Sequence, residues 1–190
     1  MVLKRWHVTA SRYLLRDKWL TVRADDCVTE TGAKVAPYYV LEYPDWAHVA
    51  AFDSDERLLV VRQYRHALGR VCIELPGGII EGGETPLEAA QREMVEETGY
   101  AAECWESLGA FSPNPATHTN TLHGFLARAV TPSAALAPDA TEDVTHEFLT
   151  IPTLLHMIEI GEFAQAMQVA TLLLALRRLE YAPAAQNDGS

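Results

Sequence analysis

Cysteine is scarce and unpatterned in this chain. Cys27, Cys72 and Cys104 are an odd number with no CxxC pair, which excludes a disulfide framework and a zinc site and predicts reduced thiols. Basic residues are also short: 15 Lys and Arg face 26 Asp and Glu, for a net charge of -11 at pH 7. Such a chain lacks the clustered cations that wrap a nucleic-acid backbone. Long apolar runs are missing too. The longest, Val169 to Leu176, is too short to cross a bilayer, and Met1 to His7 carries Lys4 and Arg5 with no signal-like apolar stretch. A cytoplasmic protein with no nucleic-acid and no membrane partner is the expectation.

What remains is ordinary globular material. The 190 residues are 48% hydrophobic, enough for one domain or one domain with a small subdomain. The acidic balance has two readings. It keeps a protein soluble, and it repels a phosphate ligand unless cations lie between them.

Short alternating runs at Tyr13–Leu15, Leu20–Val22 and Tyr38–Leu41 predict strands, with turns at Asp25-Asp26 and Thr31-Gly32. They suggest an antiparallel β unit over residues 1–45. Trp46–Phe52, Arg57–Gln63 and Val71–Leu75 read as further strands, the last ended by Pro76-Gly77-Gly78. Strands at Cys104–Phe111, Thr121–Ala129 and Glu147–Ile151 follow, with exposed loops over Ser112–Asn120 and Val130–Thr141. Helices are expected over Pro152–Ile160 and Glu162–Glu180, and a disordered tail over 182–190.

The clearest helix runs from Thr85 to Thr98. Thr85 is a good N-cap, Pro86 suits the first helical position, and Glu88 completes a capping box. Gly99 marks the end. Leu87, Ala90 and Met94 form one stripe at about 100° per residue and are expected in the core. Glu93, Glu96 and Glu97 share a neighbouring arc. Like charges four residues apart cost a few tenths of a kcal/mol, and no base follows to relieve them. A hard divalent cation turns that repulsion into attraction, and an oxygen-only donor set favours Mg²⁺ or Mn²⁺. A solvated acidic face is the alternative. Pro76-Gly77-Gly78 and Gly82-Gly83 lead into this helix without the GK[ST] of a phosphate-binding Walker loop.

The segment from Gly78 through Glu84 and Arg92-Glu93-Met94-Val95-Glu96-Glu97-Thr98-Gly99 to Tyr100 resembles the Nudix box, G-x5-E-x7-R-E-U-x-E-E-x-G-U. Tyr100, aromatic where the motif is aliphatic, is the one departure. The resemblance implies that Glu93 and Glu97 ligate metal directly, with Glu96 a third or water-mediated ligand and the Gly77 carbonyl a further one. It implies that Arg92 and Glu84 orient the glutamates. Arg92 and Glu97 thereby join the catalytic set, in which the metals activate a water for in-line attack at phosphorus.

Leu59-Val-Val-Arg-Gln-Tyr-Arg65, Ile73-Glu-Leu-Pro-Gly-Gly78 and Met157 to Phe163 resemble the ADP-ribose pyrophosphatase branch of that family. In that branch the matching Arg65 and Glu74 contact substrate. An arginine fork suits a diphosphate, and a charge inside Val71–Leu75 needs a reason. The branch also supplies an acid from a late loop as catalytic base or extra ligand. Glu142 is the candidate here, with Asp143 and Glu147 behind it.

The resemblance implies an α/β (α+β) Nudix fold: an α/β/α sandwich around a mixed sheet over 46–181, preceded by the small antiparallel β unit, which builds a homodimer and part of the substrate pocket. Trp19 and Trp46 are candidates for stacking on a base, with core packing as the alternative. The implied activity is Mg-dependent hydrolysis of a nucleoside diphosphate sugar, ADP-ribose first. The branch's Ser-Pro-Gly followed by an acid is replaced by Ser112-Pro-Asn-Pro-Ala-Thr-His118. This change leaves GDP-mannose and other nucleotide sugars open. A hydrolase of nucleoside triphosphates and a catalytically silent nucleotide-sugar sensor are the other readings.

Overall fold

Three strands open the chain: β1 (His7–Arg16), β2 (Thr21–Val28) and β3 (Lys34–Glu42), an antiparallel sheet in the order β1-β2-β3. The computed structural model describes residues 4–133 and 143–181. All three strands are longer than the alternating runs suggested. Asp25-Asp26, expected in a turn, lies inside β2. Two acids fit there because Arg23 and Ser11 donate to the Asp25 carboxylate, and a register shift follows at Cys27. Hydrogen bonds from Arg23 hold the Asp25 carboxyl below its ordinary pKa. This sheet and Phe111–Leu122 make one unit, Met1–Asp45 with Phe111–Leu122. Within it Leu41 N–H donates to the Thr117 carbonyl at 2.7 Å, and the Asn120 amide to the Pro44 carbonyl at 3.0 Å.

The second unit, Trp46–Ala110 with His123–Ser190, holds the other elements. They are β4 (Trp46–Phe52), β5 (Leu58–Arg65), β6 (Arg70–Glu74), β7 (Gly77–Ile79), α1 (Pro86–Thr98), β8 (Tyr100–Phe111), β9 (Leu122–Pro132), β10 (Val144–Leu149), α2 (Ile151–Glu159) and α3 (Ala166–Arg178). Its seven-stranded sheet runs β10-β5-β4-β9-β8, with β6 on β5 and β7 on β4.

Alternation along the strands divides the core in two. Ala50, Phe52, Leu58 and Val60 pack with Leu154, Leu172, Ala175 and Leu176 of α2 and α3. Ala47, Val49, Ala51 and Leu59 pack with Ala89, Ala90 and Met94 of α1. The unit is therefore a three-layer α/β/α sandwich, as expected. Leu87 departs from the expected stripe: it is 37% exposed, and Ala89 is buried in its place. The contact face is narrow enough to take alanines, whose small side chains let α1 lie close on the sheet.

β4 and β5 pair only at Ala51↔Leu59 and Phe52↔Leu58. Beyond that they part, β6 follows β5 from Val61↔Glu74 to Arg65↔Arg70, and β7 follows β4 from Trp46↔Ile79 to His48↔Gly77. Pro76-Gly77-Gly78 is thus not a simple strand-ending turn, because Gly77 and Gly78 pair in the fork. Other bounds shift as well. β9 runs to Pro132, so Val130–Pro132 is strand and not loop, and β8 begins at Tyr100. β10 ends at Leu149, so Ile151 opens α2 behind the N-cap Thr150. The last helix begins at Ala166, capped by the Gln165 side chain, not at Glu162. The expected tail and most of the 130–141 loop lie outside the described residues.

The Thr85 cap is complete: its hydroxyl accepts from Glu88 N, and the Glu88 carboxylate accepts from Thr85 N at 2.7 Å. We expect Thr85→Ala to cost about 1 kcal/mol, read as a lower urea midpoint with unchanged slope. His48 sits 7% exposed in β4 with its Nδ1 unpartnered, and burial lowers its pKa from 6.5 to about 4. Between those values the unfolded chain binds a proton that the folded chain does not, so stability falls as pH falls through this window. His48→Leu should flatten that segment of a stability-against-pH curve measured by chemical denaturation; an unaltered slope would place the acid sensitivity elsewhere.

Candidate active site

The acidic helix is organised by its arginine. Arg92 Nε and Nη2 donate to the two Glu84 carboxylate oxygens at 3.2 and 2.8 Å. Nη1 donates to Glu93 at 3.0 Å and to Glu96 at 2.9 Å, and Nη2 also donates to the Ile79 carbonyl at 3.0 Å. A guanidinium has five N–H donors, so every one is engaged by the box itself. These contacts, Glu84 foremost, raise the Arg92 pKa above its ordinary value, and Arg92 in turn lowers that of Glu84. Glu84 also accepts from Glu81 N at 2.7 Å, which ties the loop before the helix to the same network.

Glu97, one turn beyond Glu93 on α1, is 4% exposed and has a different partner. Its carboxylate accepts from Gly77 N at 2.9 Å. Buried carboxylates are costly unless hydrogen-bonded, and the backbone of the fork provides that bond. Glycine is required at this point. Gly77 has φ +152, and a Cβ there would stand 2.1 Å from the Ala47 carbonyl oxygen. At Gly78 a Cβ would stand 2.3 Å from Glu93 Oε1. Gly78 therefore lets Glu93 approach this backbone, and Gly77 lets the backbone lie close on β4 with its N–H on Glu97.

Glu93, Glu97 and the Gly77–Gly78 backbone offer only oxygen donors, the chemistry of a hard divalent cation. Glu93 and Glu96 turn onto Arg92, while Glu97 turns onto Gly77 N. Among the described residues no three acidic, His or Cys side chains are gathered as a ready metal group. The cradle at Gly78 and the oxygen-only donor set fit such an ion, with protein N–H groups now satisfying the carboxylates.

Arg65 and Glu74 sit at opposite ends of the β5–β6 ladder, across from Arg70 and Val61, and the arginine side chain reaches along it to the carboxylate. Arg65 Nε donates to Glu74 Oε1 at 2.9 Å and Nη2 to Oε2 at 2.6 Å, a bidentate pair. Glu74 is 5% exposed, whereas the Arg65 side chain is 43% exposed. Two residues absent from the sequence reading join them. Gln168 of α3 is 3% exposed and bonds both Glu74 and Leu75 N, and His48 is close enough to feel the Glu74 and Arg65 charges. A lone amide in the apolar run of α3 and a lone imidazole in β4 were the available signals.

The late-loop candidates separate. Glu142 lies outside the described residues. Glu147 of β10 pairs with Arg62 on β5, a strand-to-strand bridge. Of the two tryptophans, Trp19 is 64% exposed and Trp46 is half-buried.

Residues 43–167 match the family model of the NUDIX domain, and residues 6–41 that of the nucleoside diphosphate sugar hydrolase N-terminal domain. The ADP-ribose pyrophosphatase of Bacillus subtilis (strain 168) is 30% identical over 118 residues, 62% of this chain and 63% of that protein. That of Mycobacterium tuberculosis is 29% identical over 152 residues, 78% of this chain and 72% of the relative. The ADP-sugar pyrophosphatase of Mus musculus is 43% identical over 68 residues, 36% and 31% of the two chains. The match thus spans under two thirds of the Bacillus subtilis and mouse proteins. A crystal structure of an ADP compounds hydrolase superimposes with a TM-score of 0.85 over 95% of this chain and 97% of that one, at 22% identity, a likeness of fold. The NUDIX match takes in the acidic helix, the fork and most of the sandwich, well over half of the chain, so this protein belongs to the Nudix family.

Proposed function

We propose that this chain hydrolyses the pyrophosphate bond of a nucleoside diphosphate sugar, with ADP-ribose the first substrate, giving a nucleoside monophosphate and a sugar phosphate. The observation that carries the reading is the convergence of Glu93 and Glu97 on the Gly77–Gly78 turn, backed by an arginine with no donor to spare. The names of the Bacillus subtilis, Mycobacterium tuberculosis and mouse relatives favour an ADP-sugar.

Nudix hydrolases generally use divalent metal ions; here Mg²⁺, or Mn²⁺, is the ion we infer. Glu93, Glu97 and the Gly77 carbonyl would hold it, with Glu96 beside them. A bound divalent ion supplies positive charge to the diphosphate oxygens and makes a water more acidic. The chain's own residues do the rest. Arg92 stays charged and keeps the Glu84, Glu93 and Glu96 carboxylates oriented. Arg65 and Glu74 grip the substrate, the guanidinium toward phosphate oxygens and the carboxylate toward hydroxyl donors. Glu142 is the proposed base or extra ligand, carried over from the resemblance.

The N-terminal unit supports a homodimer. Every residue of β1 is exposed, including Val8, Tyr13, Leu14 and Leu15, and Trp19 follows it. An exposed ten-residue edge strand with apolar side chains invites pairing, and a second copy of this chain is the occupant we infer. No described helix is long and apolar enough to cross a membrane; cytoplasmic residence, with no nucleic-acid or membrane partner, completes the proposal.

A panel of ADP-ribose, GDP-mannose, UDP-glucose, NADH and dGTP with Mg²⁺, read as released monophosphate or pyrophosphate, tests the reading. Turnover greatest on ADP-ribose is expected, and inertness toward every diphosphate would refute it. Glu97→Gln keeps an acceptor for Gly77 N and should retain the fold. We expect its kcat to drop at least about a hundredfold, the upper end of the loss when even an outer-shell partner is removed. Light scattering should give a dimer mass that falls to a monomer on Leu14→Glu with Trp19→Glu; a wild-type monomer would exclude the assembly.

A further inference from the structure

Glu74 is held from two sides, and only one of them is its ion pair. On the other side, helix α3 buries Gln168 to 3% exposure in the layer between helix and sheet. A primary amide in that position costs free energy unless its groups are matched. They are matched by adjacent residues of one segment. Gln168 Oε1 accepts from Leu75 N at 2.9 Å, and Nε2 faces Glu74 Oε2 at 3.4 Å. The amide orientation follows from donor chemistry, since Leu75 N–H needs an acceptor and an ionised Glu74 needs a donor. Gln168 is itself fixed by the first turn of α3, where its N–H donates to the Gln165 side chain at 2.9 Å.

The donor count makes the contact specific. A carboxylate offers about four acceptor sites, two on each oxygen. Arg65 takes one on Oε1 and one on Oε2, and Gln168 takes the second on Oε2. One acceptor remains, on Oε1. A carboxylate held by Arg65 alone can rock about the guanidinium fork and present either oxygen. The amide from α3 removes that freedom.

We infer that Gln168 is a positioning residue for substrate binding: it locks the Glu74 carboxylate so that Oε1 presents its remaining lone pair to a hydroxyl donor of the bound sugar nucleotide. This rests on the proposed substrate role of Glu74. Gln168 lies one residue beyond the segment matched by the NUDIX model, which ends at 167, and acts through Glu74 without touching substrate. The lock also couples α3 to the fork, because Leu75 and Gly77 flank Pro76, whose carbonyl accepts from Val49 N at 2.9 Å.

The test uses the full chain and four variants: Gln168→Glu, Gln168→Met, Glu74→Gln, and the double variant E74Q/Q168E. Gln168→Glu keeps an oxygen for Leu75 N but sets an acceptor against Glu74; Gln168→Met removes both bonds at similar volume. With ADP-ribose and Mg²⁺, both Gln168 variants should raise KM about tenfold, the loss of a hydrogen bond to a charged group. Their kcat should stay within about threefold of wild type, the pattern of lost uniform binding. The double variant exchanges donor and acceptor between positions 74 and 168 while setting the new amide at 74 against Arg65 Nη2, so its KM should exceed that of wild type yet fall below the product of the two single effects. Unchanged KM in both Gln168 variants, or a double variant as poor as the product of the single ones, overturns the inference.

Urea unfolding of the same proteins gives a coupling between positions 74 and 168 that needs no substrate. Additive stability effects overturn the contact itself. A wild type inert toward every nucleotide sugar removes the role toward substrate along with the proposed function, and the stability coupling then stands apart from both.

Discussion

The acidic face of α1 exists because one guanidinium sits inside it. Glu93 and Glu97 are one turn apart, with Glu96 beside them, and the last turn of the helix carries no base. Like charges in that register destabilise a bare helix, if only by tenths of a kcal/mol. Partial burial makes the problem larger, because Glu93 is 14% exposed at its side chain and Glu97 is 4% exposed overall. Arg92 answers part of it with five directed bonds that reach three carboxylates and the Ile79 carbonyl. A lysine would carry the same charge without the planar fork that spans Glu84 and Glu93 together. The capping box then fixes where the helix starts, and so which residues point inward.

The second constraint is the parting of β4 from β5. A continuous ladder between them would leave no place for backbone to meet the helix. The fork admits Leu75-Pro76-Gly77, and Gly77 N–H donates to Glu97, the buried carboxylate of α1. Site and sheet irregularity are in this sense one feature. The opening lies where the β5–β6 ladder begins at Val61↔Glu74, and there Gln168 of α3 meets Glu74 and Leu75 from the other layer. Buried polar groups at the fork are satisfied almost wholly by one another, and His48 Nδ1 stands out as the exception.

Much of this was legible in the residues. The capped helix, its three glutamates and the glycine-rich approach follow from spacing and from short-range rules, and the α/β/α layering from the family resemblance that those residues carry. The errors came where a partner distant in sequence decided the outcome. Asp25-Asp26 reads as a turn, yet pairing with β1 and β3, and Ser11 on β1, make it strand. Pro76-Gly77-Gly78 reads as a stop, yet the edge of β4 recruits Gly77 and Gly78 into β7. Leu87 reads as core, yet alanines pack closer and leave it outside. Gln168 and His48 carry no motif at all, and their neighbours lie far away along the chain.

By itself the sequence determined the family, the helix that bears the carboxylates and the chemistry those carboxylates suit. Each of these depends on residues a few positions apart, whose relative placement a helix or a turn fixes without outside help. Only the tertiary structure decided which glutamate binds Arg92 and which binds backbone, where β4 and β5 separate, and that an amide from α3 shares Glu74 with Arg65. Those outcomes depend on groups competing for donors across tens of residues, a competition resolved only when the layers close and water is no longer an alternative partner.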